Sequence, residues 1–129
     1  MQIKSLDSLL EDANKIVTKL SYEETCSKIK NGASIIDVRE EVELNKKGMI
    51  KNAIHIPRGL IEFTLSLNSV DNPNNISENS TILVYCAGGF RSALAAKTLI
   101  DLGFKNVFNI GGFDEWVING GEIQTKSNY

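Results

Sequence analysis

Thr81-Ile82-Leu83-Val84-Tyr85-Cys86-Ala87-Gly88-Gly89-Phe90-Arg91-Ser92 is the stretch whose reading decides the fold. Its first five residues form an apolar run that predicts a buried β-strand. From Ser92 to Leu102, strong helix formers with apolar residues at Leu94, Ala95, Leu99 and Leu102 predict a helix. The short loop between them carries two adjacent glycines. Strand, glycine loop and helix start in succession make an anion cradle: loop N–H groups turn inward, and the helix N-terminus carries about half a positive charge. A thiol held there titrates below its ordinary value of about 8.5. A strand-end cysteine by itself is only a small buried hydrophobe. The glycine pair, which lets backbone bend around a bound group, and Arg91, a permanent cation with forked donors, make Cys86 a candidate nucleophile.

At 129 residues the chain has room for one domain with a proper core. Charged residues at 23% and hydrophobic ones at 42% are ordinary for a globular protein. A net charge of -2, with lysines interspersed among acids, offers no basic surface for nucleic acid. No stretch has the apolar length of a membrane span, and the first residues lack the charged and then uniformly apolar pattern of a signal peptide, so a cytoplasmic protein is expected. Cys26 and Cys86 lie far apart with no Cys-x-x-Cys, which argues against both a stapling disulfide and a thioredoxin-type dithiol. The single histidine, His55, has no cysteine cluster beside it, and neither a metal nor a cofactor is expected.

Outward from the central run, Leu6, Leu9, Leu10, Ala13, Ile16, Val17 and Leu20 recur at helical spacing, predicting a helix over 5–20 capped by Ser5 or Asp7 and packed on the domain. Ser21 followed three residues later by Glu24 fits a capping box opening a second helix, which contains Cys26 and ends near Asn31-Gly32. Ser34–Val38 reads as a strand, Arg39–Gly48 as a loop, and Ala53–Pro57 as a short strand stopped by proline. A helix over 59–67, a polar loop over 68–80, a strand over 106–110 and a short helix over 113–118 complete the pattern. Strands alternating with helices imply a mostly parallel α/β sheet covered on both faces, with Cys86 at the carboxyl end of a strand, where such folds bind ligands. The expected organisation is an N-terminal helix over 1–20 on a domain over 21–129.

Four ordered stretches resemble the rhodanese family of single-domain sulfurtransferases. Ile35-Ile36-Asp37-Val38-Arg39-Glu40 is similar to its first signature, an Asp-Val-Arg at a strand end. Gly48 to Pro57 resembles the second, Gly-His-Ile-x-Gly-Ala-x-x-Ile-Pro, with Met49 and Asn52 replacing the usual His and second Gly. Both replacements read as changes in a turn. The active-site loop matches from Cys86 through Ser92, and Gly111-Gly112-Phe113 to Trp116 resembles the family's common ending. The resemblance covers about residues 21–122 and implies a rhodanese-like fold. Its Cys-x4-Arg loop is one residue shorter than the Cys-x5-Arg of related phosphatases, which fits a sulfane sulfur better than a phosphate.

The resemblance implies transfer of sulfane sulfur from thiosulfate, or from a protein persulfide, to a thiol or cyanide through a persulfide on Cys86. The N–H groups of Ala87, Gly88, Gly89, Phe90 and Arg91 are expected to line the anion hole. Arg91 either binds the donor's anionic end or pairs with an acid to close the loop. Ser92 is read as capping the following helix, with a catalytic hydroxyl the alternative. Asp37 and Arg39 are expected to hold the following loop by an ion pair or hydrogen bonds, and Arg58 to add charge at the pocket mouth. His55 is expected to pack, and Phe90, Phe113 and Trp116 to wall the pocket or join the core. Two other functions stay open: a partner-fed sulfur carrier docked through the first helix, and a cysteine-based phosphatase or arsenate reductase. Nothing in the residues sets the oligomeric state.

Overall fold

In the computed structural model, which describes residues 2–125, the chain alternates helices and strands. Their order is α1 (Leu6–Ile16), β1 (Thr18–Lys19), α2 (Tyr22–Lys30), β2 (Ser34–Asp37), α3 (Glu41–Lys47), β3 (Met49–Ile50), β4 (Ile54–His55), α4 (Ile61–Leu65), β5 (Thr81–Cys86), α5 (Phe90–Leu102), β6 (Asn106–Gly112), α6 (Phe113–Ile118) and β7 (Ile123–Gln124). Short 3-10 turns sit at Arg58–Leu60 and Pro73–Asn75. Five strands form one parallel sheet in the order β1-β6-β5-β2-β4, so the central apolar run is its middle strand. β3 and β7 form a separate antiparallel ribbon.

Side-chain alternation along β5 divides the core into two layers. Ile82, Val84 and Cys86 face the side covered by α4 and α5, packing with Ile36, Val38, Ile61, Leu65, Ala95, Ala96 and Leu99. Leu83 and Tyr85 face the other side, with Ile35, Leu20, Ile50 and Phe113. The parity of one strand therefore sends Cys86 toward the start of α5 and its neighbour Tyr85 into the opposite layer.

Four expectations need correcting. The first helix stops at Ile16, and Thr18–Lys19 instead pairs with β6 at the sheet edge. Val17 and Thr18 are β-branched, Val17 is already extended at φ -95° and ψ 124°, and β6 offers an open row of backbone partners. Helix α1 lies against α5, burying Ala13 and leaving Leu6 and Ile16 exposed. Most of the expected Arg39–Gly48 loop is helix α3, whose entry is fixed by the Glu40 N–H donating to Glu43 at 2.8 Å, and which buries Leu44. Met49 is not in a turn but buried in β3, whereas Asn52 does take the turn, at φ +67°. The expected helix over 59–67 is the turn at Arg58–Leu60 followed by α4. Residues 1 and 126–129, the ends of the two expected units, lie outside the described residues.

Candidate active site

Cys86 ends β5 with its side chain buried, and the chain then turns through Ala87-Gly88-Gly89 into α5. Gly89 sits at φ +94°, a conformation that favours glycine, and so brings its N–H round to donate to Cys86 Sγ at 3.1 Å. The Ser92 N–H donates to the same sulfur at 3.4 Å, and Ser92 Oγ lies 3.4 Å from it. Gly112 lets β6 approach this turn closely, since a Cβ there would collide with the Ala87 carbonyl. Burial pushes the Cys86 thiol up, but the Ser92 hydroxyl and the N–H groups of Ser92, Gly89 and Gly88 outweigh it, leaving the thiol below its ordinary value. The donors converge on the sulfur itself, at the start of the 13-residue helix α5.

Ser92 does not cap α5; that position belongs to Gly89. Ser92 lies inside the first turn, buried, with its hydroxyl donating to Asn109 Oδ1 at 2.8 Å. Asn109 also accepts the Gly111 N–H at 2.9 Å and donates from Nδ2 to the Gly89 carbonyl at 3.1 Å. It thus ties α5, the cysteine loop and the end of β6 together.

Arg91 pairs with an acid, the second of its two expected roles. Its two terminal nitrogens grip Glu43 of α3 at 2.8 and 2.9 Å. The Arg91 fork holds the Glu43 carboxyl down at about 2, against partial burial, and Glu43 in turn raises the Arg91 guanidinium above its ordinary range. Asp37 and Arg39 form a buried ion pair, with Arg39 Nη2 2.7 Å from Asp37 and 2.7 Å from the Gly48 carbonyl, so Arg39 closes the α3 excursion at both ends. Tyr85 donates its hydroxyl to Asp37 and accepts the Ile50 N–H at 3.0 Å. Burial, then the Asp37 charge, pushes that phenol far up, so it stays protonated.

The remaining residues divide. A cavity of about 120 Å³ borders the loop at Ala87 and is lined by Arg39, Glu43, Lys46, Lys47, Phe113 and Asp114. Arg58 does not line it: its guanidinium bonds Thr98 of α5 at 3.0 Å and Glu62 at 3.3 Å. Phe90 is 66% exposed, Trp116 packs against Tyr22 with the two rings tilted by 54°, and of the three aromatic residues Phe113 alone walls this cavity. His55 contacts the Arg39 carbonyl at 2.7 Å, a structural bond. Sequence reasoning missed Glu43, concealed in a stretch read as loop, and Asn109, whose only signal was a polar residue inside the apolar run Val107–Ile110. No group of His, Cys, Asp and Glu among the described residues is arranged to hold a metal, and none of their helices is long and apolar enough to cross a membrane.

A thiol at the carboxyl end of a central parallel strand, under N–H donors at a long helix start, defines an α/β domain built to hold negative charge on sulfur. The chain belongs to the rhodanese-like domain family, whose sequence model matches residues 21–119, and its homologues are rhodanese-like sulfurtransferases. YrkF of Bacillus subtilis, named as a candidate sulfur carrier, is 35% identical over 109 residues, 82% of this chain and 54% of YrkF. The chain spans little more than half the length of the first curated relatives it matches. Among solved structures, RPA3614 of Rhodopseudomonas palustris, of unknown function and described as a possible tyrosine phosphatase, superposes with a TM-score of 0.85 at 34% identity, covering 96% of this chain and 97% of that one. The polysulfide-sulfur transferase homodimer of Wolinella succinogenes gives a TM-score of 0.73 at 28% identity, with 93% and 87% covered.

Proposed function

We propose that the domain moves sulfane sulfur from an anionic donor such as thiosulfate, or from a protein persulfide, to a thiol through a persulfide on Cys86. The observation that carries this is the convergence of the Gly89 and Ser92 N–H groups and the Ser92 hydroxyl on one buried sulfur. The Cys86 thiolate attacks the outer sulfur of thiosulfate, and the donor's S–S bond breaks with its electron pair leaving on sulfite. Cys86 keeps Cys–S–S⁻, and an acceptor thiolate or cyanide then takes the outer sulfur and restores the thiolate. Both steps keep negative charge on sulfur inside the loop, which preorganised N–H donors stabilise without reorganising. The chemistry needs a free thiol, and Cys26 and Cys86 are both unbridged, in keeping with a reducing, cytoplasmic setting.

The likeness to RPA3614 makes phosphatase chemistry the reading to test against. Against that reading, the loop runs Cys-x4-Arg, one residue shorter than that of the related phosphatases, and Arg91 gives two of its five N–H groups to Glu43. The name of YrkF favours a carrier variant of the same chemistry, in which a partner's persulfide loads Cys86. Intact mass after incubation with thiosulfate tests the proposal. The wild-type chain gains one sulfur that cyanide removes, and Cys86→Ser gains none. Absence of any gain while Cys86 still alkylates rapidly rejects thiosulfate as donor and favours the carrier. Hydrolysis of an aryl phosphate that is lost in Cys86→Ser rejects sulfur transfer.

A further inference from the structure

Asn109 is a polar side chain where the sheet calls for an apolar one. Val107 packs in the layer covered by α4 and α5, and strand alternation puts Asn109 on the same face, buried, opposite Val84 in the register of β5. Tyr85 then pairs with Gly111, so Ile110 is an extra residue in β6, and Asn109 Oδ1 closes this bulge by accepting the Gly111 N–H at 2.9 Å. The amide has only one orientation that satisfies its neighbours. The Gly111 N–H can only donate and the Gly89 carbonyl can only accept, so Oδ1 faces the first and Nδ2 the second. Oδ1 is thereby fixed as an acceptor 2.8 Å from Ser92 Oγ.

Ser92 Oγ carries one proton and, among the described residues, has two acceptors for it: Asn109 Oδ1, and Cys86 Sγ at 3.4 Å. Ser92 and Cys86 are 0% and 1% exposed, so the choice lies between these two protein atoms. The charge on Sγ decides it, because a hydrogen bond to an ionised partner is roughly twice as strong as a neutral one. A neutral Sγ, in the thiol or as the inner sulfur of a persulfide, leaves the proton on the Asn109 side. A thiolate draws it toward sulfur by rotation about the Cβ–Oγ bond, and the proton stays on the serine oxygen throughout.

We propose that Asn109 is a positioning residue for the reaction at Cys86, holding the Ser92 proton away from Sγ while that sulfur is neutral and yielding it when the charge arrives there. The assignment rests on the reading of Cys86 as the reacting thiol. Asn109 thereby opposes the free thiolate and favours the two neutral states of Sγ, before the thiolate forms and after the outer sulfur has been gained. Removing Asn109 leaves Sγ as the acceptor for Ser92, so the thiolate forms more easily, the opposite of what loss of Ser92 itself does. A residue that only braced the loop acts the other way: without it the Gly89 and Ser92 N–H donors drift from the sulfur, and the thiolate forms less easily.

The test is a double-mutant cycle on the full chain, read as the pH profile of Cys86 alkylation by iodoacetamide, with Cys26→Ser in every protein so that a single thiol reports. Asn109→Ala lowers the midpoint by about half to one unit when Ser92 is present, and alkylation below the midpoint is about three- to tenfold faster. In the Ser92→Ala background the same change shifts nothing. The charged groups beside the loop, Arg91 of α5 with Glu43 of α3 and the Asp37–Arg39 pair at the end of β2, are the same in every variant. Folding is checked by circular dichroism, and should Asn109→Ala not fold, Asn109→Val, whose β-branched side chain suits a buried strand, replaces it with the same expected sign. A midpoint that rises or stays, or an equal shift in both backgrounds, overturns the assignment. In the sulfur-loaded protein, cyanide removes the outer sulfur faster from Asn109→Ala, because a thiol of lower pKa leaves more readily. Discharge at the wild-type rate overturns the role of Asn109 in the reaction. If thiosulfate does not load Cys86, the alkylation cycle still decides for or against Asn109, so the two readings fail separately.

Discussion

Replacing Ser92 by alanine tests how the cradle sets the reactivity of Cys86. A hydroxyl has one proton, and in the structure Ser92 gives it to Asn109 Oδ1 at 2.8 Å. While Cys86 is a thiol, its S–H is the donor toward Ser92 Oγ, 3.4 Å away. When the thiolate forms, the hydroxyl proton turns to sulfur, and Asn109 Oδ1 keeps the Gly111 N–H at 2.9 Å. A hydrogen bond to a charged group is worth about 1.5–3 kcal/mol against about 0.5–1.5 for a neutral one, so Ser92 favours the thiolate by about 1 kcal/mol or slightly more. At 1.36 kcal/mol per unit, Ser92→Ala raises the thiol pKa by about one unit. The N–H donors of Gly89 and Ser92 survive the change, so the pKa does not rise further. The assay is the pH dependence of Cys86 alkylation by iodoacetamide, followed by intact mass. Below the pKa the variant reacts about tenfold more slowly at a given pH, and Ser92→Thr, which keeps the hydroxyl, stays close to wild type. A Ser92→Ala profile that is unmoved or shifted to lower pH refutes the reasoning and leaves the backbone amides alone in control.

Glu43 carries an acid-stability signature. Its folded carboxyl titrates at about 2, below the unfolded value, so its contribution is complete above about pH 4.3 and is lost as pH falls through about 2. The pair is partly solvent-exposed, at 38% and 29%, which reduces the contribution to about 1 kcal/mol. Glu43→Gln flattens urea stability across that window, and a variant with the wild-type acid slope contradicts the assignment. Tyr85→Phe removes the donor to Asp37 and the acceptor of the Ile50 N–H inside the protein, which costs about 2–4 kcal/mol. For a domain of this length that is a fall in melting temperature of roughly 7–15 °C, and a fall of less than about 3 °C counts against the network.

Much of the architecture was legible because local physics and tertiary structure agreed. The capping box Ser21–Glu24 and the apolar run of β5 each appear where pattern and propensity place them. The misses fall where they diverge. Residues 17–20 continue the helical spacing of α1, yet the open edge of β6 takes Thr18 and Lys19 as a strand. Residues 41–47 looked like a charged loop, and only the reciprocal contacts of Glu40 and Glu43 and the burial of Leu44 make them a helix.

The candidate site divides in the same way. Sequence alone determined the cysteine, the glycine turn after it and the helix behind it, because these are consecutive and their backbone preferences are local. It determined family membership too, since four motifs recur in fixed order. Tertiary structure decided what each polar side chain does: Arg91 meets Glu43 48 residues away, Ser92 meets Asn109 17 residues away, and Arg58 turns to Thr98 instead of the loop. Long side chains reach whichever partner the packing of β2, β5 and β6 brings near, and strand register, which no short stretch encodes, sets that partner.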